Sequence, residues 1–263
     1  MRKEEQAPKT PLLNHLLELR SRLLRCLLVF VCALGISFYF AESIYSFLQQ
    51  PLLVTFGENS ERRMIYTGLH EAFFTYLKLA FFSATFITLP LILIQIWKFI
   101  APGLYQDERR HLSPVFLLTP ILFLCGAALA FFVVMPLAWD FFISFESFQG
   151  ETAIDVQLEA KVSEYLSLVI QLILAFGLCF ELPILLFVLC KSGVTTVERL
   201  AYYRRHAIVG VFLIAALITP PDLISQIALG LPVILLYELS LLFIRISEKN
   251  TKGKVAAKTI DTL

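Results

Sequence analysis

The 263 residues are 58% hydrophobic and 16% charged, with a mean hydropathy of +0.76, so too little polar surface exists to wrap a soluble core and the composition is that of a membrane protein. Lys and Arg number 22 against 21 Asp and Glu, a net charge of +1, and without a basic excess nucleic acid is excluded as a partner. Five cysteines (Cys26, Cys32, Cys125, Cys179, Cys190) lie in or beside apolar stretches with no CxxC or Cys/His spacing; they read as apolar, inert thiols, and no metal site is expected.

In chain order, Leu12 to Leu24 is a basic amphipathic stretch in which Leu12, Leu16, Leu19 and Leu23 recur at helical spacing. One face should lie on lipid or on the bundle. Glu18 falls opposite, and Arg22 follows it at the spacing of an ordinary exposed helix pair. The first span is predicted over 23–40, with Arg25 snorkelling. A basic start before an apolar run also suits a cleavable signal peptide, but this run is long and further spans follow. The second span covers 72–96. After it, Trp97 and Tyr105 suit interfacial anchoring, and Asp107-Glu108-Arg109-Arg110 reads as a solvated helix entry. Glu18 and Glu108, two separated acids on a basic face, also suit recognition of a cationic ligand.

The third span is predicted over 114–137, with Pro114 at its start. The fourth, 164–190, is broken only by Glu181, about 15 Å by helix rise from Lys191 and so near mid-bilayer. An ionisable group there is expected to face a cavity or water path; the alternative is a hydrogen-bonded acid joining helices. Pro183 deprives the Cys179 carbonyl of its helical partner and should kink the helix. The fifth span, 206–219, is short: 16 residues separate Arg205 from Asp222 and two are prolines, so it reaches at most roughly 24 Å. Either Asp222 caps the next helix in a plain tight hairpin or the bilayer is locally thinned. The sixth span, 223–244, carries Glu238, and a basic tail follows over 245–263.

Six spans put both termini on one side. The segments on that side hold 18 basic residues and the opposite side three, Arg62, Arg63 and Lys161, with Lys78 inside the start of span two, which predicts both termini in the cytoplasm. The outer loops, roughly 41–71 and 138–163, can fold over the membrane surface but are too short for a domain, so residues 1–263 form a single membrane domain. No HExxH, GxSxG, P-loop or GxGxxG occurs, and the four His stand alone. No enzyme, catalytic residue or cofactor is expected.

Together these stretches resemble the TatC family of the twin-arginine protein translocase over nearly the whole chain. The matching segments are His15 to Leu23 (HLLELRSRL), Gln95 to Arg110 (QIWKFIAPGLYQDERR), Phe176 to Pro183 (FGLCFELP) and Leu217 to Gln226 (LITPPDLISQ). Where the family usually carries Ser-Pro before span two, this chain has Gly68-Leu69, although Glu71, Phe73 and Lys78 match. The resemblance implies an all-α, concave, cupped bundle with short helices five and six and with Glu181 facing the hollow. Asp222 and Gln226 fall in the matching last hairpin. It implies a receptor that binds twin-arginine signal peptides of folded cargo through acids matching Glu18 and Glu108, with Arg20, Phe99 and Tyr105 nearby. It further implies TatA-like and TatB-like single-span partners, self-association, lipid contact, use of the proton motive force and location in a bacterial-type cytoplasmic membrane. A guanidinium pairs with a carboxylate in a two-point geometry that an ammonium cannot reproduce. The alternative from another class is a secondary transporter of a small solute coupled through Glu181.

Overall fold

The structure, a computed structural model, describes residues 12–56, 63–100, 106–146, 158–218 and 223–260. Among them the regular elements are helices, together with an isolated backbone bridge between Ile65 and Lys161. Helix α1 (Leu12–Tyr39) is continuous, so the amphipathic stretch and the first span form one rod. It packs chiefly on α4 (Glu71–Ile100). The side of α1 carrying Glu18, Arg22, Cys26 and Phe30 is partly covered and leads to the buried Ala33, whereas Leu23, Leu24, Leu27 and Leu28 are exposed. The leucines face outward because in lipid they lose nothing by doing so, and α4 receives the polar Glu18–Arg22 pair and the Phe30 ring, which meets Phe81 edge-on.

Two short helices, α2 (Ala41–Leu48) and α3 (Gln50–Phe56), follow at the far end of the bundle. The segment before α4 is tied across to the start of the fourth span: Ile65 N donates to Ala160 O at 3.0 Å and Val162 N to Ile65 O at 2.9 Å. The predicted outer loops thus contain folded structure.

Helix α5 (Gln106–Leu129) begins eight residues before Pro114, which lies inside the helix and does not start it as expected. The apolar run starts at Pro114, but the polar turns before it, with Asp107 and Glu108 favouring a helix N-terminus, also wind into the helix. The third span then passes through a π-helical turn, Ala130–Val134, into α6 (Met135–Ile143). Met135 N bonds to Ala130 O, and this wider turn shifts the ladder just where Pro136 has no N–H to give.

The fourth span is broken outright: α7 (Val162–Cys179) ends, Phe180 and Glu181 form a turn, and α8 (Leu182–Lys191) restarts with Pro183 in its first turn. The expected kink at Pro183 is therefore a helix break, with Glu181 in the N-cap position of α8. The break separates two packed regions. One gathers Leu79, Trp139, Tyr165, Leu172 and Phe176 from α4, α6 and α7; the other gathers Ile184, Phe187, Val197, Tyr237 and Leu241 from α8, α9 (Val197–Tyr202) and α11 (Leu223–Ile260).

Helices α5 and α7 cross at glycines. A Cβ on Gly126 would stand 2.5 Å from Phe176 O, and one on Gly177 would stand 2.6 Å from the Phe123 ring. Small residues at such crossings let helix backbones approach closely in a membrane.

Among the described residues, five stretches are long and apolar enough to cross a membrane: Leu17–Tyr39, Glu71–Ile96, Leu118–Ile143, Val162–Lys191 and Gln226–Ser247. Helix α10 (Arg204–Ile218) has 15 residues, a rise of about 22 Å. The sixth span is apolar for 22 residues against 26 in the third, but its helix does not stop near 244. It continues to Ile260, because no proline or helix-ending turn follows Arg245, so most of the predicted tail is helical.

Candidate functional site

At the end of the bundle where α1 begins and α4 finishes, Glu18 and Arg22 form a linked pair. Arg22 donates to Glu18 Oε1 from Nε at 3.1 Å and from Nη2 at 2.5 Å, and its Nη1 donates to Gln95 Oε1 at 2.8 Å. The helical offset of four residues brings the first two together, while the third partner comes from α4. The Arg22 side chain is only 18% exposed and Glu18 is 41% exposed. The pair is therefore not the ordinary exposed one that its spacing suggests: the guanidinium is held against α4 through Gln95 and the carboxylate is the more exposed partner.

The contact with Gln95 also orients the rest of the predicted site. Glu18 lies beside the C-terminal end of α4, where Phe99 sits, and α5 begins at Gln106 after a link of residues 101–105. Glu108, in the first turn of α5, therefore belongs to the same end of the bundle as Glu18. Tyr105 lies outside the described residues. Arg20 is exposed and lines a separate groove with Leu17, Ser21, Leu24, Arg25 and Leu28. Two residues along a helix is about 200° of rotation, so Arg20 points away from Glu18.

Glu181 is buried at 7% exposure. Thr119 of α5, itself fully buried, faces it. The break after Cys179 places this side chain in the N-cap position of α8, with Pro183 in the first turn of that helix. Asp222 lies outside the described residues. Gln226 donates from Nε2 to Phe212 O at 3.1 Å, and Gly230 admits the Phe212 ring, so Gln226 fastens α10 to α11.

Sequence reasoning passed over several polar contacts. Gln95 was only one letter in a matching segment, yet a polar side chain in the last turns of an apolar span is itself a signal. Glu238 pairs with Arg204 at 3.1 Å, and Tyr237 donates to Leu200 O at 2.9 Å, which anchors α11 to α9 and α10. At the opposite end, Glu71 Oε1 accepts from Ser163 Oγ at 2.6 Å, and Oε2 accepts from Thr67 N at 2.8 Å and Gly68 N at 3.2 Å. Glu71 thus caps α4 and ties it to α7, and Gly68 N supplies one of the capping bonds. Among the described residues no group of three or more His, Cys, Asp or Glu is placed to hold a metal ion.

Fold and site together define a multi-pass, all-helical membrane protein with a carboxylate–guanidinium pair at one end of the bundle. The family model for Sec-independent protein translocase protein (TatC) matches residues 14–232. The chain is 46% identical over 229 residues to the TatC of Rickettsia prowazekii (strain Madrid E), covering 87% of this chain and 90% of that one. To the TatC of Escherichia coli (strain K12) it is 39% identical, covering 89% and 88%. A crystal structure of the twin-arginine translocase receptor TatC superposes with a TM-score of 0.75 at 38% identity, over 89% of this chain and 99% of that one. The chain belongs to the TatC family, and it is a multi-pass protein of the bacterial inner membrane.

Proposed function

We propose that this chain is the core receptor of a twin-arginine translocation system: it binds the twin-arginine signal peptides of folded proteins at the cytoplasmic face and nucleates the complex for export driven by the proton motive force. Its partners in this reading are TatA-like and TatB-like single-span subunits and further copies of itself. The distribution of 18 basic residues against three supports placing the start of α1 in the cytoplasm.

The observation that carries the reading is chemical. Glu18 already receives a guanidinium through two N–H groups on Oε1, at 3.1 and 2.5 Å, and its side chain is 41% exposed, so a carboxylate that binds a guanidinium is within reach of solvent, as recognition of a signal arginine requires. In this reading Glu108, in the first turn of α5, supplies the second acid, and Phe99, Tyr105 and Arg20 are the further residues that the family resemblance assigns to the site. Surrounding cations repel unsuitable basic ligands, so a local acid pair adds discrimination to affinity. The small-solute transporter is set aside: the relatives are protein translocase components, and Glu181 is enclosed by packed helices.

The test is complementation. Cells lacking their own TatC-family protein, given this chain with matching single-span subunits, are expected to export a folded reporter bearing a twin-arginine signal. Export is expected to fall at least about tenfold with Glu18→Ala or Glu108→Ala, the scale of one lost charged hydrogen bond. Full export by both variants would remove the acids from the site.

A further inference from the structure

We propose that Arg22 is a tethered competitor for the incoming arginine: it holds Glu18 in the resting receptor and must be displaced before a signal arginine is seated. The inference rests on Glu18 being a recognition acid and adds a residue that sets the affinity threshold of the site.

Three features lead there. Arg22 presents to Glu18 the same group that the signal would bring, donating through Nε and Nη2 to Oε1. The two members of the pair are unequally accessible: the Arg22 side chain is 18% exposed and that of Glu18 41%, so an external guanidinium can approach the carboxylate while Arg22 stays against α4. Finally, Arg22 Nη1 is bound to Gln95 Oε1 at 2.8 Å. Once displaced, Arg22 keeps that acceptor, and exchange of one guanidinium for another leaves no buried charge without a partner.

The consequence for specificity follows from population arithmetic. If Glu18 is available only in the fraction of molecules in which Arg22 has let go, every ligand's apparent affinity is reduced by that same fraction. Arg22 therefore does not create the preference for arginine over lysine, which comes from the fork geometry. It lowers both affinities together, so that a lysine signal falls below the level needed for transport while an arginine signal does not.

The experiment uses the full chain in lipid nanodiscs and two fluorescent peptides, one with paired arginines ahead of an apolar segment and one with paired lysines. Arg22→Gln is expected to tighten both by roughly two- to fivefold, the scale of a part-exposed charge pair, with the ratio between peptides unchanged. Arg22→Lys keeps the charge but loses the two-point contact and is expected to tighten binding in the same direction, which separates displacement from relief of repulsion. Arg25→Gln, the same loss of charge one turn on, is expected to leave affinity unchanged. Weaker or unchanged binding in Arg22→Gln and Arg22→Lys overturns the proposal and makes Arg22 a support that orients Glu18. A Glu18→Gln arm divides the failures: if arginine-peptide affinity survives it, the recognition reading falls and this inference with it. If affinity is lost there but neither Arg22 variant tightens, this inference falls alone.

Discussion

Glu181 is the residue whose surroundings are hardest to reconcile with simple packing. Its carboxyl is buried beside the Thr119 hydroxyl, where an apolar side chain of similar volume would need no hydrogen bond. Desolvation of a buried polar group costs about 1–3 kcal/mol, so Glu181→Leu is expected to stabilise the folded protein by up to about that amount, read as a higher midpoint of thermal unfolding in detergent. A lower midpoint would mean that the carboxyl is held by interactions beyond packing. If the variant is more stable but exports less, the acid is kept for function at the expense of stability. Glu71 shows the opposite arrangement, with every carboxyl oxygen engaged by capping or hydroxyl donors.

Among the elements, the α5–α7 crossing and the break between α7 and α8 fix how the bundle is assembled. Gly126→Ala puts a methyl group 2.5 Å from Phe176 O, a backbone atom that cannot swing aside. Overpacking of this kind costs about 1–3 kcal/mol, and a correspondingly lower unfolding midpoint is expected. Gly210→Ala, where a Cβ meets nothing within 4 Å, is the matched control and is expected to show no loss. Equal behaviour of the two would mean that the crossing is looser than its geometry.

The apolar stretches were legible in the sequence because hydropathy alone marks them, and a disturbance at Pro183 was legible, as a kink, because proline removes a helical hydrogen bond. What was not legible depends on ladder register and on partners distant in sequence. The start of α5 before Pro114, the π turn ahead of Pro136 and the helix running to Ile260 all lie where apolar count and helix extent part company. At the site, the Glu18–Arg22 spacing was visible, but its link to Gln95, 73 residues on, was not, and that link turns a surface pair into a held one.

At the scale of the whole molecule, two packed regions meet at the Phe180–Glu181 turn, and helices of unequal reach surround them. Helix α10, at 15 residues, is shorter than a bilayer core of about 30 Å, and a span of that length is accommodated by thinning of the bilayer or by shielding from neighbours. The proposed recognition end is set by a few short connections: α1 is locked to α4 through Arg22 and Gln95, and α4 leads into α5 within residues 101–105. Both acids are thereby carried on long helices, not on free loops, so their separation is set by the packing of the bundle. The central claim is that a signal's arginines are received there. Its most direct measurement is photo-cross-linking of a twin-arginine signal peptide, with the reactive group beside the arginines, to the full chain in membranes. Cross-links to α1 and the α4–α5 link are expected in the wild type and are expected to be lost in Glu18→Ala and Glu108→Ala while both variants remain membrane-inserted. Unchanged cross-linking in either variant would contradict the account.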